Sequence, residues 1–455
     1  MNRLLIICVL LFGLLATSSA QNDRITITVG MNALQIEQIT GLSNVIEDFE
    51  AANPDIRLHF VELNFAPTGM DDDAYFAQVE DFVQQADVIA VRGQNLTQRV
   101  TLAGYILDLS PLAANNGTYP EPVWSSFQWD GGQWAVPTRY NLVALSYLPA
   151  AFDEAGLPYP DAAWTLDDLS LAASELTQTN ADGDITQYGF EAFFETNYLS
   201  RSAFGMDFTD TAAIPTTALL DTPAVIDFVE TWNRFITTTP IGPEVPESGG
   251  FIIDPSPDVP LRVTSSLLSE LVIGSDNLRD FAPLPGGNTF VEANGLAISA
   301  GTVAPEAAYT VVTYLASRPE TSSVFGGVMP ANTQLVAEAP AFEVLQDNGL
   351  VETYNTLLEN ALPATALWFA GDFNTVAFRV RENGQAPAEA LAEREIRVQD
   401  WQATAQARNG TYTLAVAPPP ALEPVAEGDV VLNFGFQSFI NPLPNADRWD
   451  AFLAE

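Results

Sequence analysis

The sequence predicts an α/β fold that begins as an open sheet of mostly parallel strands, and three stretches near the N-terminus carry that reading. Ile25, Ile27 and Val29 alternate with Thr26 and Thr28, the two-residue period of a strand, and Gly30 ends it. Leu42, Val45, Ile46 and Phe49 recur on one helix face, and Asn53-Pro54-Asp55 stops that helix. The apolar run Asp87-Val88-Ile89-Ala90-Val91 reads as a buried strand. Between them, Arg57 to Glu62 alternates as another strand, and a second helix spans about Asp72 to Gln85. Strand, helix, strand, helix, strand is the order that winds into such a sheet.

Beyond Trp134-Ala135-Val136-Pro137, Tyr140 to Leu148 reads as a strand leaving this first sheet. A short helix ends at Asp153-Glu154-Ala155-Gly156-Leu157, and another opens at Trp164, with Thr165 and Asp168 at capping-box spacing. A helix from about Pro223 to Thr237 follows, then a returning strand at Glu292 to Ser299 and a helix at Pro305 to Ser317. The stretch from roughly Ala341 to Gln406 is predicted to be helical. Residues 407–428 are a proline-rich linker. Asp429 to Gln437 and Ala446 to Glu455 then repeat the plan of Ile25 to Glu50, which predicts the start of a second, truncated copy of the domain. The competing expectation is a terminal strand and helix packed on the first copy.

Composition narrows the function. With 58 acidic residues against 17 basic ones, the net charge is −41, which repels nucleic acid and anionic membrane surfaces. Every basic residue is Arg; without Lys there is neither a Schiff base nor a P-loop. The one His, His59, supports no histidine zinc site, and neither a metal nor a cofactor is expected. It lies on a predicted strand without a nucleophile motif, so a structural role is expected. Residues 1–20 read as a signal peptide, with Arg3 ahead of the apolar run Leu4 to Ala16 and Ser18-Ser19-Ala20 as the cleavage site. The single Cys, Cys8, falls inside it. An exported protein, periplasmic or extracellular at the outer face of the cytoplasmic membrane, is the expectation. Asn180-Ala181-Asp182-Gly183-Asp184 lacks the first and last acids of a calcium loop and reads as a turn.

Several passages, in this order, resemble the extracellular solute-binding proteins of sugar-type ABC importers, the maltose-binding-protein-like class. They are Asn44 to Ile56 (NVIEDFEAANPDI), Asp87 to Leu109, Trp129 to Leu157 (WDGGQWAVPTRYNLVALSYLPAAFDEAGL), Trp164 to Leu169, Phe281 to Glu306 and Gly384 to Leu391. The likeness spans about Ile25 to Gln406. Pro257 to Glu270 departs from it, lacking the usual Gly-Ser-Trp turn. The resemblance implies a type-II periplasmic-binding-protein-like fold, two α/β lobes joined by crossing strands around a ligand cleft. Lobe 1 is expected at 21–143 and 294–335, and lobe 2 at 144–293 and 336–406.

Ligands of open α/β sheets sit beyond the carboxyl ends of the strands, and sugars need polar partners plus flat apolar faces. That chemistry picks out Asn32, Arg92, Gln94, Arg139, Tyr140, Asn141, Glu195, Asn197, Tyr198, Glu292 and Asn294. Trp368 and Asp372 are similar to the family's aromatic and polar helix start. The implied function is capture of a small polar solute, a mono- or oligosaccharide, by a monomer that hands it to ABC permease subunits without catalysis. The alternatives are the recognition module of a secreted sensor or glycan-adhesion protein, and, ranked lower, a glycosidase.

Overall fold

The computed structural model describes residues 24–68, 71–192, 195–205, 208–242, 259–265, 267–268, 271, 278–322, 328–364 and 367–419, without the side chains of 367 and 368. The expected leader, residues 420–428 of the linker and the expected second copy lie outside the described residues. The chain divides into one unit ending at Ala417 and another beginning at Pro418.

Within the first unit the chain opens with β1 (Ile25–Met31), α1 (Ala33–Gln38), α2 (Leu42–Ala52), β2 (Ile56–Glu62), α3 (Asp72–Gln85), β3 (Val88–Arg92) and α4 (Gln98–Leu102). It continues through β4 (Val136–Tyr147), β5 (Phe190–Ala192), α5 (Thr196–Phe204), α6 (Pro223–Thr238), β6 (Leu261–Thr264), β7 (Asp280–Ala282) and β8 (Thr289–Ile298). It closes with α7 (Pro305–Ala316), β9 (Met329–Pro330), α8 (Val351–Glu359), β10 (Ala361–Pro363), α9 (Leu367–Asn383) and α10 (Pro387–Arg408).

These ten strands form one sheet in the order β2-β1-β3-β8-β4-β6-β5, with β7 and β9 also on β4 and β10 on β8. β1 runs parallel to β2 and β3, whereas β8 is antiparallel to β3 and β4. Successive side chains of a strand point to opposite faces, so Val88 joins one apolar cluster with Ile27, Phe49 and Val311 while Ile89 joins another with Phe76 and Val83. Helices thus cover both faces of the first half. Its far end is tied by Asp87, whose carboxylate accepts from the Thr28 amide at 2.9 Å and the Thr302 hydroxyl at 2.6 Å.

The long strands β4 and β8 change partners part-way. β4 pairs with β8 as far as Val143, then with β6 from Ala144 and with β7 from Leu145. β8 pairs with β10 over Thr289–Val291 and with β3 over Asn294–Ile298. Two continuous strands therefore join the halves. Gly295 marks a bulge there: a Cβ would lie 2.7 Å from the Val136 carbonyl and 2.9 Å from the Phe127 ring, so only glycine lets β8 sit this close to β4. The second half packs around Phe152, Leu169, Phe190, Phe228, Trp232 and Phe373. The rings of Phe208 and Phe373 stack at 4.6 Å.

Several boundaries differ from the sequence expectation. β4 begins at Val136 rather than Tyr140, because Pro137 pairs through its register with Gly295 and joins the ladder. The stretch expected to be helical from Ala341 is broken: Gly349 adopts φ +70°, and Ala361–Pro363 becomes β10 by pairing parallel to β8. The capping box at Thr165 and Asp168 forms as expected. His59 is half-buried on β2, and burial, helped by Arg57, pulls its pKa below the ordinary value. The Asn180 side chain accepts from the amides of Asp182 and Asp184 at 3.0 and 2.9 Å, which makes that stretch a turn.

Candidate functional site

The register of the crossing strands builds the site. Asn294 of β8 faces Arg92 of β3 on one side and Arg139 of β4 on the other, and one pleat along, Glu292 faces Asn141. Residues two apart on a strand share a face. Arg92, Arg139, Asn141, Glu292 and Asn294 therefore line a single cavity of about 270 Å³, joined by Gln94, Ser126 and Ser265. The loop after β3 is held tight against β8, with the Gly93 amide donating to the Ala293 carbonyl at 2.9 Å.

The carboxylate of Glu292 is the hub. It accepts from the Gln94 amide and from the Tyr198 hydroxyl of α5, and Gln94 also reaches that hydroxyl at 3.4 Å. Burial raises the Glu292 pKa, while these donors and the charge of Arg92 pull the other way. Burial likewise raises Glu195, which accepts from Ser265 at 3.1 Å; its second carboxylate oxygen is buried without a partner among the described residues. Arg139 is lowered to about 10, first by burial and then by the charge of Arg92.

A second cavity of about 660 Å³ lies between α3–α4 and α5, α9 and α10, lined by Tyr75, Arg99, Asn197, Asp372, Asn374, Phe378 and Trp401 among others. Asp372 is ion-paired with Arg394, and burial pushes it up to about 6 against the pull of that arginine. The amide of Asn374 donates to Asn197 at 2.7 Å.

Six of the residues singled out in the sequence, Arg92, Gln94, Arg139, Asn141, Glu292 and Asn294, thus line the first cavity. Glu195 and Tyr198 reach it through Ser265 and Glu292. Asn197 and Asp372 belong to the second cavity. Asn32 is occupied locally: it caps α1, accepting from the Gln35 amide at 2.8 Å. Tyr140 is buried in an apolar cluster with Tyr354. The Trp368 side chain lies outside the described residues.

A buried bridge beside the second cavity has no local signature in the sequence. Gln98 donates to Asp130 at 2.8 Å and to the Thr216 carbonyl at 2.7 Å, and Gln402 donates to Gln98 at 2.8 Å and to the same carbonyl at 2.7 Å. Helix α10 itself begins in the second apolar core, through Leu391 and Val398, and ends on α3, where Arg408 meets Asp73 at 2.8 Å.

A mixed sheet crossed by two shared strands, with the polar cavity at the crossing, is the type-II periplasmic-binding-protein-like fold. Solved structures agree in fold over most of the chain. An ABC substrate-binding protein, Lmo0181, from Listeria monocytogenes in complex with cycloalternan matches with a TM-score of 0.59 at 18% identity, over 83% of this chain and 99% of that one. The sugar-binding protein MalE from Xanthomonas citri matches with a TM-score of 0.59 at 16% identity, over 83% and 98%. UgpB from Mycobacterium tuberculosis in complex with glycerophosphocholine matches with a TM-score of 0.58 at 16% identity, again over 83% and 98%. No protein-family model and no curated protein matches the chain.

Proposed function

We propose that the chain is an exported solute-binding protein that captures a small polar solute, a mono- or oligosaccharide, and delivers it to the permease of an ABC importer. The observation that carries this is the cavity at the crossing strands. Its lining of guanidinium, carboxylate and amide groups offers donors and acceptors in the mixture that hydroxyl-rich solutes need. In this reading residues 21–143 with 294–335 and 144–293 with 336–406 act as two lobes that close on the guest. Tyr198 on one side and Gln94 on the other then meet at Glu292. Structurally similar proteins are named for binding cycloalternan, sugar and glycerophosphocholine, which supports a polar-solute role at the level of the fold. No bond is made or broken: binding, orientation and release are the whole activity. The protein works as a monomer at the outer face of the cytoplasmic membrane.

Thermal unfolding in the presence of sugars, amino acids and polyamines tests the reading, since a ligand of the folded state stabilises by RT ln(1 + [L]/Kd). A saccharide at a hundred times its Kd raises stability by about 2.7 kcal/mol. Stabilisation by amino acids or polyamines alone would replace the saccharide with another solute.

A further inference from the structure

Arg92 and Arg139 bring two positive charges to one polar cavity. In a chain this acidic, Arg24, Arg99, Arg262, Arg318, Arg394 and Arg408 each sit against a carboxylate. Among the described residues, neither Arg92 nor Arg139 forms an ion pair. They flank Asn294 in one register row, on strands either side of β8, and both line the cavity. The charge of Arg92 helps, after burial, to lower Arg139. The charge of Arg92 acts on Glu292, whose carboxylate also accepts from Gln94 and Tyr198. Two like charges lining one cavity repel each other, and an anion placed between them relieves that repulsion. The planar guanidinium fork suits carboxylate, sulfate or phosphate oxygens.

We infer that the solute is an acidic saccharide whose anionic group lies between Arg92 and Arg139, with its hydroxyls toward Asn141, Glu292 and Asn294. This rests on the solute-binding reading and narrows it. A neutral sugar would leave the repulsion between the two guanidinium groups unrelieved, whereas a free inorganic anion would leave the amide and carboxylate side of the cavity unused.

The test is calorimetric titration of the full chain with matched pairs, galacturonate against galactose and glucuronate against glucose, as monomers and short oligomers, with inorganic sulfate as a third arm. The acidic member is expected to bind at least about 10-fold tighter than its neutral partner. Arg139→Gln should collapse that ratio toward unity. Arg92→Gln, at a more exposed position, should do the same and carries the test if the Arg139 variant fails to fold by circular dichroism. Equal or tighter binding of neutral sugars overturns the inference and leaves solute capture standing, as does a ratio unaffected by the substitutions. Sulfate binding as tightly as the uronates overturns the saccharide part. Binding of no saccharide of either charge overturns both readings.

Discussion

The Tyr198 hydroxyl donates to the Glu292 carboxylate across 94 residues of sequence, joining α5 to the crossing strand β8 at the edge of the polar cavity. That contact couples the second half of the fold to the lining of the site. It also fixes which way the carboxylate points.

Tyr198→Phe removes one of two side-chain donors to a half-buried carboxylate. A hydrogen bond to a charged group contributes about 1.5–3 kcal/mol, so solute affinity is expected to fall by about 10-fold or more. The same donor holds the Glu292 pKa down. Its loss should therefore move the pH at which Glu292 titrates upward, and calorimetry across a pH series reads both effects.

Asp372 supplies a pH signature of stability. Its pKa in the folded state is raised from 3.8 to about 6, chiefly by burial. The folded chain then holds a proton that the unfolded chain has released, so this contribution is full below about 4 and is lost as pH rises through about 6. Asp372→Asn should flatten that slope by roughly 2 kcal/mol between pH 4 and 7 relative to the parent. Urea unfolding at the two pH values measures it, and an unchanged difference refutes it.

The Gln98–Gln402 bridge holds α4 to α10. Gln98→Ala takes from Gln402 one of its hydrogen-bond partners and from Asp130 the donor to one carboxylate oxygen, a loss of about 1–3 kcal/mol. The solute-free variant is expected to lose that much stability and to show a larger radius of gyration by small-angle X-ray scattering. An unchanged scattering curve would mean that the bridge does not restrain the halves.

Phe373 is fully buried and stacks on Phe208 within the second core. Phe373→Ala should cost about 3–5 kcal/mol of unfolding free energy, visible as a lower denaturation midpoint.

Much of the first half was readable because its elements are local and periodic. The alternation at Ile25–Val29 and the stripe at Leu42–Phe49 state their own secondary structure, and α3 runs Asp72–Gln85 as its pattern indicated. Arg92, Arg139, Asn141, Glu292 and Asn294 could be grouped because they are polar residues at or on strands that cross. The rest depended on distance in sequence. The bridge from Gln98 to Gln402 spans 304 residues, and nothing in either neighbourhood announces it. The Asn32 cap was present as Asn-x-x-Gln, a local pattern that competes with any ligand for the same oxygen. Asp372 pairs with Arg394 and lines the second cavity, a placement that its helix-start pattern alone does not state. Only the packing of α9 against α10 decides that.

The most direct measurement is calorimetric titration of a saccharide panel into the purified chain, with mass spectrometry of the solute recovered afterwards. One solute per chain is expected, with affinity lost on Glu292→Ala and a recovered molecule of unchanged mass. Absence of binding across the panel, or a solute returned cleaved or modified, would contradict it.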